Sequence, residues 1–189
     1  MSLSRTNWSS GIWGVLTYDF DQVVAALNAI QPYDWAQLLK TRLEGLSDRA
    51  PLAGLEANGY RLIYTDEPTT SFKSAQKSRN QTDLSYSLGL VMGKAGAISA
   101  VTWDSPAFAA GLDVADMVVA VDGREYSDDR LIAAIKAAKG TKTQIRLLVK
   151  SGTRYGDVVI DYHGGLRYPR LEKIGVEDAG LDRLLAPLL

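Results

Sequence analysis

The side chains that can carry chemistry are few in this 189-residue chain: it has one histidine, His163, and no cysteine. Disulfides, thiol nucleophiles and thiolate metal sites are therefore excluded. The redox compartment stays open, because a cysteine-free chain suits cytosol or periplasm equally. A zinc peptidase of the His-Glu-x-x-His kind needs two histidines one helical turn apart, which this sequence cannot supply. His163 could serve a Ser-His-Asp system, yet no Gly-x-Ser-x-Gly elbow holds a serine at a strained turn. Neither a Walker loop nor a Gly-x-Gly-x-x-Gly fingerprint occurs. His163 lies beside Gly164-Gly165 after a strand-like run and reads as a hydrogen-bonded structural residue. The sequence assigns no catalytic residue and no metal ligand.

Composition narrows the partners. With 21 Lys+Arg against 22 Asp+Glu the formal charge is −1, and 46% of residues are hydrophobic. A near-neutral chain lacks the basic surplus that displaces counterions from nucleic acid or binds an anionic membrane surface. No apolar run approaches the ~18 residues that a membrane span requires. The start, Met1-Ser2-Leu3, lacks the pattern of a secretory signal and looks like an added leader, so an excised piece of a longer protein is expected.

Two amphipathic helices are predicted first. Tyr18 to Ile30 has Asp19 as cap with Gln22 three residues on, and an apolar face of Val23, Val24, Leu27 and Ile30. After Pro32, Asp34 caps a second helix with Gln37 at its third position and a face of Trp35, Leu38, Leu39, Leu43 and Leu46. A pair so apolar on one side suggests the tail of a helical domain. The preceding stretch around Trp8 and Trp13 fits neither helix nor strand clearly. Pro51 to Asn58 suits a short helix stopped by Gly59, and Tyr60 to Tyr64 alternates as a strand. Asp66 to Thr82 is polar apart from Phe72 and reads as a surface insertion with a helical turn over Ser71 to Arg79, its charges forming a solvated face.

From Asp83 onward, short strands alternate with turn residues. Leu84 to Met92 and Ala97 to Trp103 flank a hairpin turn at Gly93-Lys94-Ala95-Gly96. Ser105-Pro106 opens a short helix closed by Gly111. Met117 to Val121 is a buried strand ending at Asp122-Gly123. Ser127 caps a helix whose first turn holds Asp128 and Asp129, with Leu131, Ile132, Ile135 and Ala138 as its apolar face. Ile145 to Val149 and Val158 to Ile160 are strands joined across Ser151-Gly152. These elements predict an α+β fold: a small, partly open β-barrel or sandwich with two helices, preceded by a helical segment.

The run Asp104-Ser105-Pro106-Ala107-Phe108-Ala109-Ala110-Gly111-Leu112, continued by Asp116-Met117-Val118-Val119-Ala120-Val121-Asp122-Gly123, resembles a bacterial PDZ domain. Ala115 departs from the glycine that many relatives carry there. Ser87-Leu88-Gly89-Leu90 resembles the PDZ loop that holds a peptide's terminal carboxylate. A wider likeness covers most of the chain. Leu16-Thr17-Tyr18-Asp19-Phe20-Asp21, Gln31-Pro32-Tyr33-Asp34-Trp35, Gly59-Tyr60-Arg61-Leu62 and Asp161-Tyr162-His163-Gly164-Gly165-Leu166-Arg167-Tyr168-Pro169-Arg170 resemble the C-terminal part of the glycyl aminopeptidase family. That family consists of zinc metallopeptidases in which a PDZ domain follows a thermolysin-like catalytic domain. The resemblance implies that residues 1–58 end such a catalytic domain, 59–163 form the PDZ domain with its polar insertion 66–82, and 164–189 are a tail docking on the body. Zinc belongs to the catalytic domain absent from this chain, and the chain itself is expected to hold no cofactor. An exported, periplasmic setting follows from the resemblance alone.

PDZ-type recognition adds a peptide as an extra strand to an exposed sheet edge. Gly89 would let the loop turn the amides of Leu88, Gly89 and Leu90 toward one carboxylate. The strand with Leu90, Val91 and Met92 would offer the edge, and Leu131 and Ile135 would wall the pocket for the last side chain. Leu131 and Ile135 also suit plain core positions, and the Gly89 loop a plain tight turn. Asp128 and Asp129 could favour basic peptide side chains, or simply stabilise the helix start. The Arg167, Tyr168 and Arg170 cluster could contact the body of the enzyme or a carboxylate, or simply form surface ion pairs, which is the preferred reading. Leu181, Leu184, Leu185 and Leu188 read as a short helix docked on the body. Three functions compete: a module capturing extended or C-terminal peptide segments for an attached peptidase, a packing module whose groove its own chain fills, and, weakest, a self-contained hydrolase around His163. The expected partners are a peptide or protein C-terminus and the missing catalytic domain.

Overall fold

The computed structural model describes residues 17–46, 50–174 and 180–186. The Trp8 and Trp13 stretch and Leu188 lie outside them, as do the side chains of Leu184 and Leu185. The chain divides into two compact units, Met1–Ala50 and Pro51–Leu189. The division falls at Ala50 and not at Asn58, because the short helix after Pro51 packs on the strand that follows it.

In the first unit, α1 (Phe20–Ile30) starts at Asp19, whose side chain accepts from the Gln22 amide while Gln22 reaches back to the Asp19 amide. That reciprocal pair satisfies two of the amides left unbonded at a helix start. Asp34 caps α2 (Trp35–Glu44) through the Gln37 amide at 3.0 Å. The Trp35 indole donates to the Gln31 carbonyl at 2.8 Å and packs edge-on against Tyr33, fixing the bend between the helices. Neither helix has a buried residue. Tyr18, Val23, Ala26, Leu27 and Ile30 line an open apolar surface, and Ile30, Leu43 and Leu46 stay exposed.

The second unit is mixed helix and open sheet. Helix α3 (Ala53–Ala57) leads into β1 (Tyr60–Thr65), which pairs antiparallel with β9 (Tyr168–Lys173). The tail is thus partly a strand. It is followed by α7 (Gly180–Leu185), whose Asp182 accepts from the Tyr60 hydroxyl and pairs with Lys173. Helix α4 (Thr70–Arg79) lies in the predicted insertion, capped by Thr69 and ended by Asn80 in left-handed backbone.

A three-stranded sheet has the order β2 (Thr82–Leu84), β3 (Leu90–Met92), β4 (Ile98–Val101). A four-stranded sheet has the order β6 (Arg124–Glu125), β5 (Met117–Val121), β7 (Ile145–Ser151), β8 (Arg154–Ile160). All their pairings are antiparallel. An Ala97–Met117 bridge ties the two sheets. The expected single strand from Leu84 to Met92 is broken by a loop over 85–89. The predicted hairpin turn at 93–96 is one 3₁₀ turn with Ala95 at φ 54°. Helices α5 (Pro106–Ala109) and α6 (Asp128–Ala138) start at the predicted caps, Ser105 and Ser127. The result is an α+β fold whose sheets do not close into a barrel. One buried cluster unites Leu84, Leu88, Leu90, Met92 and Ile98 with Val118, Val121, Leu131, Ile135, Ile145, Leu147 and Ile160.

Candidate functional site

The 87–90 loop is held from outside itself. The Leu88 carbonyl accepts from the Ala107 amide at 3.0 Å and the Gly89 carbonyl from the Thr102 amide at 2.8 Å. The Ser87 hydroxyl accepts from the Arg167 amide at 3.0 Å. Gly89 has φ +81°, and a Cβ there would sit 2.1 Å from Ser105 Cβ. Glycine is required twice over, by backbone hand and by the capping serine pressed against it. Ser87, Leu88, Gly89 and Leu90 are all buried.

The strand that should offer an open edge is covered. β4 pairs with one side of β3, and β2 takes the other, in the register Thr82↔Met92, Asp83↔Val91, Leu84↔Leu90. The Leu84 carbonyl accepts from the Ser87 amide at 3.0 Å and the Gly89 amide at 3.1 Å. The Gly89 amide expected to face a peptide carboxylate therefore faces a carbonyl of its own chain. Sequence reading missed β2 because three residues with one large apolar side chain give no periodic signal.

The face of α6 closes the other wall. Leu131 and Ile135 are fully buried, in one cluster with Leu84, Leu88, Leu90 and Met92. Leu88, Leu90, Met92, Leu131 and Ile135 thus share one buried cluster, with Gly89 buried in the loop and Val91 half-buried on β3. An open groove of about 370 Å³ is lined by residues that include Gln76, Thr82, Asp128, Asp129, Ile132 and Lys136, and by none of those seven. Asp128 also accepts from the Tyr126 hydroxyl, and burial followed by that bond pushes the Tyr126 phenol well above its ordinary value.

Helix α4 latches β2 in place. The Gln76 side-chain carbonyl accepts from the Asp83 amide at 2.8 Å. The Phe72 ring meets the buried Tyr168 ring edge-on at 5.5 Å. Gln81 donates to the Ser99 hydroxyl at 3.3 Å, and Ser99 donates to the Val91 carbonyl at 2.9 Å. Immediately after Leu84 the chain turns toward β3, with Asp83 accepting from the Ser85 amide and hydroxyl at 3.0 and 2.6 Å.

No family model matches the sequence, and no curated protein matches it. Solved structures do. An aminopeptidase N family protein from Idiomarina loihiensis superposes with a TM-score of 0.56 at 13% identity, over 88% of this chain. The match spans only 28% of that protein's length, and at this identity it speaks to fold alone. The HtrA3 PDZ domain bound to a phage-derived ligand gives a TM-score of 0.30 at 18% identity, covering 62% of this chain and 94% of that one. The HtrA-type protease AlgW with a decapeptide also gives 0.30, at 22% identity, covering 78% of this chain and 35% of that one. At 0.30 neither of these two bears on fold or function.

The remaining candidates have structural partners. His163 places Nε2 2.8 Å from the Asp161 carboxylate and Nδ1 3.2 Å from the Ala138 carbonyl, at the end of α6. Arg167, expected in a surface ion pair, instead stacks its guanidinium 4.3 Å from the centre of the Tyr64 ring. Tyr168 is core rather than surface, because its position in β9 turns the ring inward against Phe72. Among the described residues no group of three or more His, Cys, Asp or Glu side chains is placed to hold a metal ion. Among them also, no helix is long and apolar enough to cross a membrane.

Proposed function

We propose that this chain is the non-catalytic, PDZ-type module of a larger peptidase resembling the glycyl aminopeptidase family, working on peptide segments rather than on the reaction. The observation that supports this reading is that Leu88, β3 residues Leu90 and Met92, and the inner face of α6 share one buried cluster. Similarity of fold to an aminopeptidase N family protein supports it. Leu88, Gly89, Leu90, Val91, Met92, Leu131 and Ile135 would form the receptor, with main-chain pairing supplying affinity and the Leu131–Ile135 wall selecting an apolar last side chain. Among the described residues the one histidine and the carboxylates form no group that could hold zinc, so no step is assigned to zinc on this chain. Zinc and hydrolysis would belong to the catalytic domain that residues 1–58 end, with the exposed apolar faces of α1 and α2 packing against the rest of it.

A second reading, a packing module with an occluded groove, is favoured by one observation: β2 already lies along β3. Amide chemical shifts during titration with peptides ending in a free apolar carboxylate separate the two. Changes at Leu88, Gly89 and Leu90 that vanish when the peptide is amidated support capture. A folded chain with no such changes supports packing.

A further inference from the structure

We propose that Thr82–Leu84 is an internal pseudo-ligand, a stretch of the chain's own backbone seated where the groove receives the C-terminus of a peptide with an aliphatic last residue. The proposal rests on the peptide-module reading above and says what holds that module closed. Four observations converge. β2 runs antiparallel along the side of β3 that faces away from β4, in the place an added strand takes. Leu84 is fully buried in the cluster that contains Leu88, Leu90, Leu131 and Ile135, as a bound terminal side chain would be. Its carbonyl accepts from the Gly89 amide at 3.1 Å, the donor otherwise available to a terminal carboxylate. The Asp83–Ser85 turn then bends the chain directly after Leu84 into the short loop that leads back to β3.

The latch is thin enough to open. Helix α4 has no buried residue, and among the described residues it holds β2 and β9 through the Gln76 hydrogen bond and through the Phe72 ring, which meets Tyr168 and packs against the buried cluster. A free carboxylate brings two anionic oxygens to a loop that Leu84 serves with one neutral carbonyl, so a true C-terminus has the stronger hydrogen bonds with which to compete. Closure reduces apparent affinity by the fraction of chains that are open. Removing the latch must therefore raise affinity without touching the receptor.

The test uses the full chain and a synthetic peptide copying residues 79–84, Arg-Asn-Gln-Thr-Asp-Leu, with a free carboxylate. It is titrated into the native chain, the Phe72→Ala/Gln76→Ala double variant, and Leu84→Ala, while amide exchange at Gly89 reports whether the groove has opened. The proposal expects the double variant to bind at least about tenfold tighter than the native chain, with shifts at Gly89 and Leu90 and none with the amidated peptide. Equal affinity for the native and double-variant chains overturns the pseudo-ligand while leaving the peptide module standing. Unchanged Gly89 protection in both variants also overturns it, because β2 is then not a separable strap. An opened groove that binds no peptide overturns the module reading itself.

Discussion

Gly89 and Ala115 show how far single backbone positions govern this molecule. Gly89 combines φ +81° with a Cβ position 2.1 Å from Ser105, so Gly89→Ala should cost about 3 kcal/mol from strain and overpacking together. Denaturant unfolding checks this; a loss below about 1 kcal/mol would mean that the loop is looser than described. Ala115 sits at φ +73° without glycine's freedom. Its likeness to a position that is often glycine in PDZ domains gains a physical reading: the turn is left-handed whichever residue fills it. Ala115→Gly should raise the stability by about 1 kcal/mol, read as a higher denaturation midpoint at unchanged slope. Tyr168 adds a pH effect. Burial first, then the Glu67 and Asp83 carboxylates, raise its phenol above the ordinary 10.0. A raised folded value leaves stability intact below about pH 10 and removes it as pH climbs toward that value. Alkaline unfolding should therefore be shallower in Tyr168→Phe, and an unchanged slope would count against the burial.

At the scale of elements, Leu84 decides most. Truncating this fully buried side chain to alanine should cost about 2–5 kcal/mol, the range for a core leucine, and thermal unfolding measures it. A surface-like loss below about 0.5 kcal/mol would mean that β2 is not packed. The helices were legible in the sequence because their signals are local: Asp19 with Gln22, Asp34 with Gln37, Ser105 with Pro106, and Ser127 all cap where expected. The apolar groups on β5, α6 and β7 were equally plain. The edge was not. Whether β3 is open depends on where a three-residue segment comes to rest, which tertiary contacts from Gln76 and Phe72 decide rather than local preference. β9 was hidden for the same reason: Tyr168-Pro169-Arg170 has no strand pattern of its own and gains its partner, β1, from across the chain.

At the scale of the whole molecule, the chain divides at Ala50, and the second unit contains the entire buried cluster. A chain begun at Pro51 should keep its cooperative unfolding and its amide protection across β3, β5 and β7. Loss of both would show that α1 and α2 contribute to that core. The two helices, with Ile30, Leu43 and Leu46 exposed, fit the proposed reading in which they end a catalytic domain and pack against the rest of it. The proposed groove, by contrast, would lie wholly within the second unit, where β2 covers one edge of β3. Closure of the groove by β2 unites the buried loop, the covered strand edge and the latch on α4.

Its most direct measurement is hydrogen exchange at the Gly89 amide in the ligand-free full chain, read beside contacts between the Leu84 methyl groups and Ile135. The account predicts slow exchange and close methyl contacts, because Leu84 occupies the pocket and its carbonyl takes the amide. A Gly89 amide exchanging at the rate of an open loop, with the Leu84 methyls far from Ile135, would contradict it.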